Sequence, residues 1–136
     1  MSENNPSIVR TLEQQRAAHA WQQIQLAMNT AKQKELKSLA RSAPASIQSS
    51  GLGQTVAFWK SKFKEKPDKE DAHFRAIYKA LDEWLSLRMN ISETLIKWIA
   101  LQADSTQYRQ ATAEALAYLS WYKRFAEAEL KGGSNQ

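Results

Sequence analysis

From Ser105 to about Lys131, apolar residues recur every three or four positions without a Gly or Pro between them. At 100° per residue Tyr108, Ala111, Ala115, Tyr118, Leu119, Tyr122, Phe125 and Ala126 fall on one broad face, the signature of an amphipathic helix that must bury that face against neighbours. Every other periodic stretch also has helical period. Ile8 to about Lys34 aligns Val9, Ala17, Ala20, Ile24, Ala27, Met28 and Ala31. Glu35 to Ala43 reads as a second segment, with Pro44 suited to the first turn of a further short helix towards Ser50. Gly51 is expected to end that helix in the left-handed conformation. Gln54 to Lys64 resumes helix until Pro67; Asp68 is the expected N-cap of the next, which carries Phe74, Ile77, Tyr78, Leu81, Trp84 and Leu85. Ser92, with Thr94 and Leu95, opens a shorter helix through Trp98 and Leu101. No stretch alternates with period two. The expectation is an all-α, compact antiparallel bundle of about six helices, one domain over residues 1–136, with flexible tails at about 1–6 and 132–136.

With 136 residues a core can form unaided. Cysteine is absent, which excludes disulfides, thiol chemistry and cysteine-based zinc sites and fits a reducing cytoplasm. No apolar run approaches the roughly 20 residues of a membrane span. The formal charge is +5, and its distribution is uneven: Lys and Arg outnumber Asp and Glu nine to three over residues 1–64, but only four to three over 108–136. Lys34, Lys37 and Arg41 stand at helical spacing with few acids nearby, which favours an anionic partner. On the last helix Arg109, Lys123, Arg124 and Lys131 collect opposite the apolar face, with Glu127 among them. That stripe is either a phosphate-backbone contact or an ordinary solvated face.

The segment SSGLGQTVAFWKSK, residues 49–62, has the glycines of a phosphate-binding loop. It fails both common fingerprints: Val56 stands where a dinucleotide motif needs its third glycine, and Gly53-Gln54-Thr55 replaces Gly-Lys-Ser/Thr. A helix stop and restart, or a backbone contact to a single phosphate, remains. His19 and His73, the only histidines, form no ligand set, so no metal or cofactor is expected and both read as packing residues. The acidic pairs Glu70–Asp71 and Asp82–Glu83 read as solvated surface. Trp21, Trp84 and Trp98 are expected in the core; Trp59, beside Phe58 and ahead of Lys60, Lys62 and Lys64, is a candidate for stacking or partner contact.

KSLARSAPASIQSSGLGQTVAFWKSK, YRQATAEALAYLSWYKRFAEAEL and the opening QQRAAHAWQQI together resemble the small subunit of type III-B CRISPR effector complexes, the Cmr group. The resemblance covers most of the chain. It implies a non-catalytic helical protein, stacked in several copies beside the backbone and large subunits, which helps hold target RNA on the guide RNA through backbone contacts. Lys37, Arg41, Arg109, Lys123 and Arg124 match the family's basic positions and are the implied RNA-binding residues; Lys60 and Lys64 join them on charge alone. Gln54 and Thr55, at a helix start, are candidates for contact with either RNA or the neighbouring subunit, and Trp59 joins them as a candidate protein contact. A helical adaptor that binds only protein and a small nuclease using both histidines are the rival classes.

Overall fold

A computed structural model describes residues 10–132. Six helices account for the regular structure among them: α1 (Leu12–Ala27), α2 (Gln33–Ser50), α3 (Leu52–Ser61), α4 (Ala72–Met89), α5 (Leu95–Leu101) and α6 (Ser105–Glu129). The all-α reading holds, with differences at the helix ends. Ile8, Val9 and the expected tails, Gly132 excepted, lie outside the described residues.

α1 begins at a capping box, in which the Gln14 amide donates to Thr11 Oγ1 at 3.1 Å and the Thr11 amide to Gln14 Oε1 at 2.9 Å. It stops at Ala27 instead of running to Lys34. Asn29 and Thr30, weak helix formers, sit in a turn where the amides of Thr30 and Ala31 both return to the Ala27 carbonyl. The Gln33 side chain satisfies the Met28 carbonyl at 3.1 Å. The turn lets α2 fold back and bury Leu36, Ala40, Ala43 and Ile47.

Pro44 does not open a separate helix but lies inside α2. The ring removes one hydrogen bond to the preceding turn. Burial of Ala43 on one side of it and Ile47 on the other keeps the helix in one piece. Gly51 has the expected positive φ, 92°, but its ψ of 157° is extended and not left-handed helical. This glycine-only conformation makes Gly51 both the C-cap of α2 and the N-cap of α3.

Asp71, not Asp68, precedes α4. Its buried carboxylate accepts the Lys64 amide at 2.7 Å, the Asp68 amide at 3.2 Å and Arg75 Nε at 2.9 Å, closing the loop between α3 and α4. Those backbone donors, Lys64 first, and the Arg75 guanidinium hold its carboxyl below the usual range against burial. Asp82 likewise accepts the Leu95 amide at the start of α5, at 3.0 Å. The solvated reading therefore fails for Asp71 and Asp82, which tie connections to helices, whereas Glu70 and Glu83 are exposed as expected. α5 starts at Thr94, which accepts the Lys97 amide, and α6 at a capping box between Asp104 and Gln107.

α6 is the spine. Arg16 meets Glu114, and Trp21 meets Phe125, so α1 runs alongside α6 in the same direction. α2 runs the other way, from Gln33 against Lys131 to the α2–α3 corner, where Gly53 meets Tyr108. α4 opposes α1, from Glu70 at Lys32 to Glu83 at His19. Tyr118, Leu119 and Tyr122 of α6 interlock in the middle with Ile24, Leu36, Leu81, Trp84 and Leu85. α3 and α5 close the remaining flank against α4.

Candidate RNA interface

Arg41 on α2 and Lys123 and Arg124 on the C-terminal half of α6 are the predicted cations at one end of the bundle. Glu127 sits between Arg124 Nη1, at 3.1 Å, and Arg41 Nε, at 3.3 Å. Burial pushes the Glu127 carboxyl up, and the two guanidinium groups outweigh it, leaving the group below the ordinary carboxylate range. The Arg124 side chain is 72% exposed. Lys123 is partly buried beside it and Lys131 exposed beyond it.

Lys37 is a correction to this set. It is buried, and its Nζ donates to the carbonyls of Leu130 and Gly132, each at 3.2 Å. Its helical position faces inward with Leu36 and Ala40, so the ammonium satisfies carbonyls just past the end of α6. Arg109 stands at the opposite end of α6, fifteen residues or roughly 22 Å from Arg124 along the axis, and donates to Thr106 Oγ1 at 3.4 Å. Lys60 and Lys64 belong to α3 and the loop after it. Lys60 Nζ lies 5.2 Å from the centre of the Phe63 ring and 5.8 Å from that of Tyr78. The seven predicted cations therefore divide into one structural lysine, Arg41, Lys123 and Arg124 where α2 meets the end of α6, Arg109 at the far end of α6, and Lys60 and Lys64 on α3 and the loop after it.

Among the implied protein contacts, Gln54 is exposed whereas Thr55 and Trp59 are buried. One step of 100° turns Trp59 into the core and its neighbour Phe58 outwards, 53% exposed. Trp21, expected inside, is 41% exposed and packs edge-on against Phe125; Trp84 and Trp98 are buried as expected. The glycine corner is a helix stop and restart. The Gly53 amide that a phosphate would need donates to the Tyr108 hydroxyl at 2.9 Å.

Sequence reasoning missed a polar seam between α1, α4 and α6. Arg16 forks onto Glu114 with Nε–Oε2 at 2.6 Å and Nη2–Oε1 at 2.9 Å, and the Trp84 indole donates to Glu114 Oε2 at 2.8 Å. His19 joins it, with Nδ1 2.7 Å from the Tyr118 hydroxyl and Nε2 3.1 Å from Glu83. Burial lowers the His19 pKa, with Glu83 opposing. Partners this far apart in sequence carry no local signal. Glu83 lies ten residues, about 15 Å, along α4 from His73, so the fold does not bring the two histidines together as the nuclease reading requires. Among the described residues no group of three or more His, Cys, Asp or Glu could hold a metal ion. No helix among them is long and apolar enough to cross a membrane.

The family model for CRISPR-associated protein (Cas_Cmr5) matches residues 12–129. The chain belongs to the Cas_Cmr5 family. A relative named CRISPR system Cmr subunit Cmr5, from Thermus thermophilus, is 32% identical over 120 residues, 88% of this chain and 96% of that protein. A crystal structure of a CRISPR-associated Cmr5 family protein, also from Thermus thermophilus, superposes with a TM-score of 0.68 at 31% identity, covering 90% of this chain and all of that one. The match begins at the first residue of α1 and ends at the last of α6, so the whole bundle is the Cas_Cmr5 unit, as the resemblance implied.

Proposed function

We propose that this Cas_Cmr5 chain is the non-catalytic small subunit of a type III-B CRISPR RNA-guided effector complex in the cytoplasm. It stacks in several copies beside the backbone and large subunits and stabilises target RNA on the guide RNA through contacts that ignore base identity. The observation that carries the RNA assignment is Arg124 of α6, whose side chain is 72% exposed, with the exposed Lys131 beyond it. Cations presented on rigid helices contact phosphates without reading base edges. Lys123 and Arg109 extend this surface along α6, and Lys60 and Lys64 offer a second one on α3. Gln54, exposed on α3, is the remaining candidate for contact with a neighbouring subunit.

The test is co-purification with the other effector subunits and guide RNA, with copies counted by native mass spectrometry. Target affinity is then measured across salt. Removing one cation that meets a phosphate should flatten the salt slope by about 0.7–1. Arg124→Gln with Lys123→Gln is expected to lower both affinity and slope. A response to salt that is flat already in the parent protein overturns the RNA assignment. It would select the protein-only adaptor, a reading favoured by the exposed Trp21 and Leu26.

A further inference from the structure

We infer that the groove between α2 and α3 receives an unpaired nucleobase stacked on Phe58, an inference that rests on the RNA reading above. The groove encloses about 310 Å³ and is lined by Ser42, Ser46, Ser50, Gln54, Thr55 and Phe58, among others. The three serines recur every four residues, so they form one row along α2. Their small side chains keep the groove open; the Ser42 hydroxyl donates to the Leu39 carbonyl at 3.1 Å and can still accept, and Ser46, Ser50 and the Gln54 amide add donors and acceptors. Thr55 is 4% exposed, and its Oγ1 has no hydrogen-bond partner among the described residues. A buried hydroxyl in that state is left needing a partner, and Thr55 lines the groove.

Phe58 forms the rim. Its ring meets Phe74 edge-on, with centroids 6.2 Å apart and planes at 82°, which fixes its orientation while leaving it 53% exposed. Lys62 Nζ sits 5.0 Å from its centroid. An exposed lysine on a flexible stem is easily displaced from the ring and is then positioned to meet a phosphate. A planar base with polar edges matches all three elements: an aromatic face, a row of hydroxyls and an amide along the groove, and the Lys62 ammonium at the rim. A peptide would use the groove but has no need of a cation at Phe58, where Lys62 sits. Stacking tolerates every base, so the site is compatible with contacts that ignore sequence.

The probe is a short oligouridylate, compared with an abasic ribose–phosphate strand of equal length, by fluorescence anisotropy on the full chain at several salt concentrations. The parent protein is expected to prefer the oligouridylate by about tenfold, within the range one stacked base supplies. Phe58→Ala should abolish that preference with the salt slope unchanged, Phe58→Tyr should keep it, and Ser42→Leu, which fills the groove, should remove it with Phe58 in place. An oligouridylate carrying 5-iodouridine should photocrosslink to Phe58. Circular dichroism checks that each variant folds. A steep salt slope without base preference, or crosslinking to Trp21 instead, overturns this site and leaves the RNA reading standing. A flat slope for both strands removes both. Loss of self-association in Phe58→Ala with RNA binding intact assigns the groove to a second copy and also overturns the inference.

Discussion

Glu114→Ala is the most informative perturbation of the bundle, because one carboxylate holds three helices. It accepts two hydrogen bonds from Arg16 on α1 and one from Trp84 on α4. Hydrogen bonds to a charged group are worth about 1.5–3 kcal/mol each when well buried. The Arg16 and Glu114 side chains are 17% and 12% exposed, and Arg16 keeps a bond to Glu13 at 3.0 Å, so solvent screening requires a discount. The three together are then worth about 3 kcal/mol. For a domain of this size that corresponds to a melting temperature lower by roughly 10 °C. Replacing Arg16 by Met together with Glu114→Leu should recover most of the loss, because Glu13, which also loses its partner, is 62% exposed and stays solvated, so no buried charge is left unpaired and only the indole N–H is orphaned. The assay is urea denaturation with linear extrapolation, checked by thermal melts. A Glu114→Ala loss below about 1 kcal/mol, or a double variant weaker than the single, refutes the reasoning. The sign with pH is also fixed. Burial pushes the Glu114 carboxyl up, but the Arg16 fork and the Trp84 indole outweigh it, so its pKa is lowered. Its stabilisation is full above the ordinary glutamate value and is lost as pH falls through the depressed one, an acid step that Glu114→Gln should lack.

Burial places the His19 pKa below its ordinary value of 6.5 despite Glu83, so the unfolded chain takes up its proton first and stability should decline as pH falls below about 6.5. His19→Gln, measured by denaturation midpoints against pH, should shallow that decline; His73, lowered mainly by burial as well, accounts for a remainder. An unchanged pH profile would be inconsistent with the seam geometry. Gly51→Ala should cost about 1–3 kcal/mol, since φ of 92° suits only glycine and the new Cβ would stand 3.3 Å from the Tyr108 hydroxyl. Stability within about 0.5 kcal/mol of the parent would mean that the corner relaxes freely.

How much was legible depended on whether the signal was local. Helical period and the glycine corner are properties of a few consecutive residues, and α4, α5 and α6 stand near where those features place them. Pro44 misled because a proline inside a helix is tolerated only when burial on both sides compensates for it. Asp71 and Asp82 misled because the backbone amides that occupy them come from other parts of the chain. In the candidate interface, residue type identified cations without direction. Arg124 points outwards, whereas Lys37 turns back onto the α6 terminus.

The order of residues by itself determined an all-helical chain, the long apolar face of α6 and an excess of positive charge towards the first half, because periodicity and charge are read residue by residue. Only the tertiary structure decided that Phe58 rather than Trp59 meets solvent, that Lys37 is a structural cap and that Arg41 and Arg124 share Glu127. The physical reason is that a side chain's direction and its partners depend on which helices pack against its own, and those contacts join residues nearly a hundred positions apart.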